Sequence, residues 1–257
     1  MNYPKIKEIK DYWEDSPPMS FIGEEVSYQG KRKFRYSLQD YMPATFQFAA
    51  FTGKLVLDLG CGAGIDSAEF LQNGAYVVST DLTSTATRLT RDLLQEAGFS
   101  SPVLQAEATS LPFKPDTFDC VYCFGVLHHI PDAEDALAEI KRVLKPGGQV
   151  MAMVYHKDSL LYAYSIIYLR GVRQGLLDML SPDEILSRYS ERRERCPYTI
   201  AYTKDEALDL FSRYFTSVSI DVRYNVIDLP EQRKVKVNLS DEYELGWHLI
   251  IKAMKMA

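Results

Sequence analysis

Leu55-Val56-Leu57-Asp58-Leu59-Gly60-Cys61-Gly62-Ala63-Gly64 decides the fold. An apolar, β-branched run ends in an acid, and three glycines follow on alternate positions. The run reads as a buried parallel strand and the glycines as the tight turn that leaves it for a helix. Glycine lets the backbone approach a ligand closely and tolerates dihedral angles that side chains forbid. A dinucleotide turn reads G-x-G-x-x-G and sets pyrophosphate on the helix N-terminus, where a carboxylate would repel it. Here the spacing is G-x-G-x-G, with Asp58 two residues ahead. An acid at that point suits a cationic or zwitterionic ligand with an amino group.

Outward from the turn, strands and helices alternate. Lys54–Leu59 reads as a strand and Ile65–Asn73 as a helix. Tyr76–Thr80, Val103–Ala106 and Phe118–Phe124 read as further strands, with helices at Ser84–Ala97 and Ala133–Leu144. Pro146-Gly147-Gly148 reads as a turn before a strand at Gln149–Tyr155. After an interruption come a helix at Lys204–Tyr214 and two β-rich segments, Val218–Ile227 and Tyr243–Lys252. This order implies an α/β fold, a doubly wound and mostly parallel sheet of seven strands with an antiparallel C-terminal edge. Residues 1–50 are expected to form an N-terminal lid segment. Residues 51–156 and 201–257 are expected to form one Rossmann-like core. Residues 157–200 are a helical insertion, expected over the substrate pocket, all within one structural domain.

The chain has 257 residues, 46% hydrophobic and 25% charged, and a net charge of −6. That composition suits a globular domain and gives no basic face for nucleic acid. Lys31-Arg32-Lys33-Phe34-Arg35 and Arg192-Arg193-Glu194-Arg195 read as solvated surface. Cys120 and Cys123 form a C-x-x-C within one strand, so their thiols should point to opposite faces and hold neither a metal nor a redox bond. No metal site is expected. Cys61, Cys120, Cys123 and Cys196 read as reduced, so a cytoplasmic setting is expected; Met1 to Asp15 shows no apolar core of a signal peptide, and Leu160–Leu169 is too short to span a bilayer.

With Asp58 ahead of its glycines, the opening motif resembles the cofactor loop of class I S-adenosylmethionine-dependent methyltransferases. Two more segments carry the resemblance: Phe124-Gly125-Val126-Leu127-His128-His129-Ile130-Pro131 and Val143-Leu144-Lys145-Pro146-Gly147-Gly148. Both are similar to segments of small-molecule enzymes of the ubiquinone/menaquinone type. The resemblance covers residues 50–155. It implies S-adenosylmethionine as cofactor, held by Asp58, Gly60, Cys61, Gly62 and Gly64. It implies that Asp81, beside Leu82, grips the ribose hydroxyls, and that Glu107, with Ala108, accepts from the adenine. Phe124 would line the methionine half, and Tyr36 or Arg35 would meet its carboxylate.

Methyl transfer is a displacement at a sulfonium carbon, which asks for alignment, exclusion of water and, for a protonated acceptor, a base. His129, His128 and the pair Tyr155/His156 lie just past strand ends and are candidates for that base. The expected partner is a small molecule, lipophilic or aromatic, with no nucleic acid and no membrane span. Monomer and homodimer both stay open. Tyr162, Tyr164 and Tyr168, with Leu161 and Ile166, form either a substrate wall or an ordinary apolar helix on the sheet. The alternatives in function are a protein that holds the cofactor without turnover, and an NAD(P)-dependent oxidoreductase. Glycine spacing and Asp58 count against the latter.

Overall fold

The structure, a computed structural model, describes residues 6–17, 26–191, 195–229, 234–240 and 243–256. Arg192, Arg193 and Glu194 therefore lie outside the described residues. Nine strands are labelled in chain order: β1 (Leu55–Leu59), β2 (Tyr76–Asp81), β3 (Val103–Gln105), β4 (Phe118–Phe124), β5 (Leu144–Tyr155), β6 (Thr216–Arg223), β7 (Val226–Asp228), β8 (Lys234–Lys236) and β9 (His248–Met254). The helices are α1 (Ile6–Asp15), α2 (Tyr28–Leu38), α3 (Met42–Phe46), α4 (Ile65–Gln72), α5 (Ser84–Glu96), α6 (Ala133–Val143), α7 (Pro182–Tyr189) and α8 (Lys204–Ser212).

Seven strands form one sheet in the order β3-β2-β1-β4-β5-β9-β6, and β7 pairs with β8 apart from it. The first five run parallel, and β9 runs antiparallel between β5 and β6. The strand order reverses between β1 and β4, and open sheets of this kind bind ligands at such a crevice. Side chains alternate across the sheet. Val56, Cys120, Tyr122 and Met151 enter the core beneath α3 and α4, whereas Leu57, Val121, Cys123 and Val150 enter the one beneath α6 and α8. The two cysteines of the C-x-x-C thus face opposite layers, each fully buried.

Several boundaries differ from the sequence reading for local reasons. The Pro146-Gly147-Gly148 segment is bonded into the sheet: Gly147 donates to the Lys255 carbonyl, and Lys255 donates back to Gly148. Strand β5 consequently starts at Leu144. The Val218–Ile227 segment breaks at Tyr224, whose φ of 73° leaves the extended region, giving β6 and β7. The insertion helix is a π-helix, Leu161–Arg173. It buries Leu161, Tyr162, Ile166 and Leu169, while Tyr164 and Tyr168 stack on each other outside. No helix among the described residues is long and apolar enough to cross a membrane.

The lead-in is helical. Ile9 and Tyr12 bury one face of α1. Glu14 pins that helix at the first turn of α5, accepting from the backbone N–H of Ser84 (2.9 Å) and Thr85 (3.0 Å) and from both hydroxyls. These bonds, the Ser84 hydroxyl first, hold the Glu14 carboxyl below the usual glutamate range. Unpaired amide donors at a helix N-terminus favour such a carboxylate.

Candidate functional site

One cavity of about 860 Å³ opens above the carboxyl ends of β1, β2, β4 and β5. That is the size of a small-molecule site, roughly 300–1,000 Å³. Its first end is made by the glycine turn. Gly60 has φ +79°, and a Cβ there would stand 2.2 Å from Val126 Cγ2, so the β1 turn and the loop after β4 touch as backbone on side chain. Gly64, at φ +80°, presses likewise on Thr90 of α5 and lies behind the cavity wall. Asp58 opposes Ser79 on β2 and Tyr122 on β4 in register. Its carboxylate accepts from the Ser67 hydroxyl. Burial pushes the Asp58 carboxyl up to about 7, against the opposing pull of that hydroxyl. A cationic neighbour would relieve this group.

Asp81, at the end of β2, accepts from the Gly62 N–H (3.1 Å) and from the N–H (3.0 Å) and hydroxyl (2.9 Å) of Thr83. It joins the glycine turn to the start of α5. Burial still raises its carboxyl above the usual range. Cys61, Leu82, Glu107, Ala108 and Phe124 line the same end. Glu107 accepts from the Thr109 hydroxyl at 2.7 Å.

Beside this end lies a node that the sequence did not announce. Asp66, in the first turn of α4, accepts from Arg35 (2.8 and 3.3 Å), Tyr36 (2.9 Å) and Tyr122 (2.9 Å). Arg35 also donates to Gln39 and sits 4.6 Å over the Phe124 ring. Arg35 is therefore buried, not part of a solvated basic face. It lines the cavity; Tyr36 does not, because its hydroxyl is turned to Asp66 and its ring packs on Phe48. Of the lead-in aromatics, Tyr12, Trp13 and Phe34 line the cavity and Tyr28 does not.

At the far end stand His129, Tyr155 and Glu191. His129 Nδ1 lies 3.0 Å from the Tyr198 carbonyl, and Nε2 lies 3.7 Å from Glu191 Oε1. The Tyr155 hydroxyl donates to that same carboxylate oxygen at 2.7 Å. Trp13 of α1 meets the His129 ring edge-on, 4.8 Å between centroids. Two of the histidine candidates stand elsewhere. His128 is buried beneath Tyr155, 3.9 Å between ring centroids, off the cavity. His156 is turned to the opposite face of β5, where Nδ1 meets the Gly246 carbonyl at 2.9 Å and burial lowers its pKa. Sequence reasoning passed over Glu191 and His248. His248 lines the cavity from the start of β9, its Nδ1 2.6 Å from the Tyr41 hydroxyl and its ring stacked on Tyr224. Of the insertion, Ser190 and Glu191 reach the cavity, and its tyrosines do not.

Residues 57–152 match the family model of a methyltransferase domain. The match covers 96 of the 257 residues and shows a methyltransferase domain within the chain. The chain is 34% identical over 128 residues to the ubiquinone biosynthesis O-methyltransferase of Stutzerimonas stutzeri (strain A1501), covering 49% of this chain and 55% of that protein. The chain thus spans about half the length of that curated relative. The enzyme of the same name from Pseudomonas entomophila (strain L48) is 29% identical over 193 residues, 71% of this chain and 81% of that one. The PH0226 protein from Pyrococcus horikoshii OT3 has the same fold, with a TM-score of 0.61 at 19% identity, covering 96% of this chain and 99% of that one. The residues of the methyltransferase domain fit its cofactor. A buried acid near neutrality faces the cavity, and the backbone at Gly60 leaves no room for a side chain.

Proposed function

We propose that this chain transfers the methyl group of S-adenosylmethionine to a small-molecule acceptor. One observation carries the reading. A single cavity has the glycine turn, Asp58 and Asp81 at one end and His129, Tyr155 and Glu191 at the other. Asp58 meets the amino group of the cofactor, Asp81 its ribose hydroxyls, Glu107 its adenine and Arg35 its carboxylate. Bound S-adenosylmethionine supplies an electrophilic methyl group on a positively charged sulfur. The protein's own residues align the acceptor, exclude water and hold a proton. His129 is the base. The first fifty residues act as a lid through α1 and α2, and the 157–200 segment adds Ser190 and Glu191 to the acceptor wall.

Ile6, Ile9, Tyr12, Trp13, Phe34 and Leu38 line the cavity from the lid, which favours an apolar or aromatic acceptor. The relatives are named O-methyltransferases, and a hydroxyl acceptor is in keeping with a histidine base. Titration calorimetry with S-adenosylmethionine, S-adenosylhomocysteine and NADH tests the reading. Micromolar binding of the first two and none of the third is expected. Binding of NADH alone would overturn it.

A further inference from the structure

The matched domain ends within β5, and α7 lies beyond it. Just past α7, Glu191 carries a carboxylate into the cavity. The environment of His129 gives that carboxylate a specific place. The Tyr198 carbonyl, 3.0 Å from Nδ1, can only accept, so Nδ1 carries the hydrogen and the neutral ring keeps its lone pair on Nε2. Thr199 Oγ1 (3.2 Å) and Cys196 Sγ (3.8 Å) close around the same Nδ1. The lone pair on Nε2 is 3.7 Å from Glu191 Oε1. That meeting is unfavourable while the ring is neutral and favourable once Nε2 takes a proton. Tyr155 and Ser190 donate to the same Oε1, at 2.7 and 3.4 Å, and hold the carboxylate in place.

We propose that Glu191 is the positioning carboxylate of a proton-accepting dyad. It makes His129 basic enough to take the proton of a hydroxyl acceptor while that oxygen is methylated. The inference rests on the reading of this cavity as a methyltransferase site. The acceptor oxygen bonds the methyl carbon, the carbon–sulfur bond breaks to leave a neutral sulfur, and the hydroxyl proton ends on His129 Nε2. Glu191 offsets the charge that arrives there, and no other reactant is needed. The groups facing His129 include His128 on its own turn, Tyr155 from β5, Cys196 and Tyr198 from the segment before α8, and Trp13 from α1. Burial pushes the Cys196 thiol up to about 12 and the Tyr155 phenol well above its ordinary value. To these Glu191 adds a carboxylate, 3.7 Å from Nε2.

The test needs no acceptor. The chain has four histidines, so the His129 signal can be assigned in NMR spectra by comparison with His129→Gln. Wild type, Glu191→Gln and Glu191→Asp are titrated with pH while loaded with S-adenosylhomocysteine. Glu191→Gln should lower the His129 midpoint by about one pH unit, and Glu191→Asp, which keeps the charge, should recover at least about half of that. Affinity for S-adenosylhomocysteine should be the same in all three. An unmoved midpoint in Glu191→Gln, or an equal fall in both variants, overturns the dyad. Failure of the wild type to bind S-adenosylhomocysteine overturns the cofactor reading instead, so the two failures are distinguishable.

Discussion

The two ends of the cavity are built on different plans. The glycine-turn end is built around one β–turn–α–β unit, on which the loops after β3 and β4 close, and its contacts are backbone, glycine and short carboxylates: Gly60 on Val126, Gly62 on Asp81, Asp58 on Ser67. The other end is assembled from four separate segments, with Trp13 from α1, His129 after β4, Tyr155 from β5 and Glu191 after α7. The first plan depends on the absence of a side chain at a given backbone position. The second depends on charge and ring packing between distant parts of the chain. A single methyl group should therefore damage the first end most, and a change of charge the second.

Gly60→Ala attacks the first plan where it has least tolerance. The new Cβ, at positive φ, would stand 2.2 Å from Val126 Cγ2. Calorimetry should find S-adenosylmethionine affinity down by about 100-fold or more, roughly 3 kcal/mol. Gly98→Ala is the matched control, because its φ is +80° but nothing lies within 4 Å of the added atom. It should cost only about 1–2 kcal/mol of stability and leave affinity alone. Wild-type affinity in Gly60→Ala would move the cofactor away from this turn.

Asp81→Ala comes next. Loss of a charged hydrogen-bond acceptor should weaken cofactor binding by about 1.5–3 kcal/mol. An unchanged calorimetric affinity would remove Asp81 from the ribose site.

Asp58 sharpens the comparison through pH. Its carboxyl stands at about 7 in the folded chain, whereas an unfolded aspartate titrates near ~3.9. Between those values the folded state holds a proton that the unfolded state has lost. The ligand-free thermal midpoint should accordingly fall as pH rises from about 4 to about 7. An ammonium bound beside Asp58 favours the ionised form. Binding of S-adenosylhomocysteine at about pH 6 should therefore release up to one proton, read as a dependence of the binding heat on buffer. Asp58→Asn should abolish that release; its persistence would show that another group titrates.

The smallest effect is expected outside both ends. Tyr168, 49% exposed, is stacked on Tyr164 at 5.7 Å. Tyr168→Ala should shift stability by no more than about 0.5 kcal/mol and leave cofactor affinity unchanged. A marked loss of affinity would draw the outer face of the insertion into the site.

The contrast between the two ends also explains what could be read from the sequence. Alternate glycines after an apolar run have few structural uses, so the turn, the places of Asp58 and Asp81 beside it and the parallel strands with their antiparallel edge were legible. The histidines were only partly so. His128 and His129 are adjacent on one short helical turn and cannot both face the cavity, and alternation along β5 carries His156 to the face opposite Tyr155. No local pattern separates these cases. Glu191 abuts a mixed-charge run and looks like solvated surface until α7 packs on the π-helix and brings it to Tyr155. Arg35 was legible only as an alternative to Tyr36 for the cofactor's carboxylate, within a run that reads as solvated surface, and its burial against Asp66 had no local signal. The apolar period of the insertion marks a helix but does not distinguish a π from an α winding.

One strand offers a way to watch the two layers separately. Cys120 and Cys123 lie three residues apart on β4, both with no solvent exposure, one in the core beneath α4 and the other in the core beneath α6. Burial raises both thiols well above the ordinary cysteine range, so neither reacts while its layer stays closed. A thiol reagent reaches each only when the helices on its side part from the sheet. The labelling rates of these two positions are two clocks on a single strand, each timing the opening of a different half of the molecule.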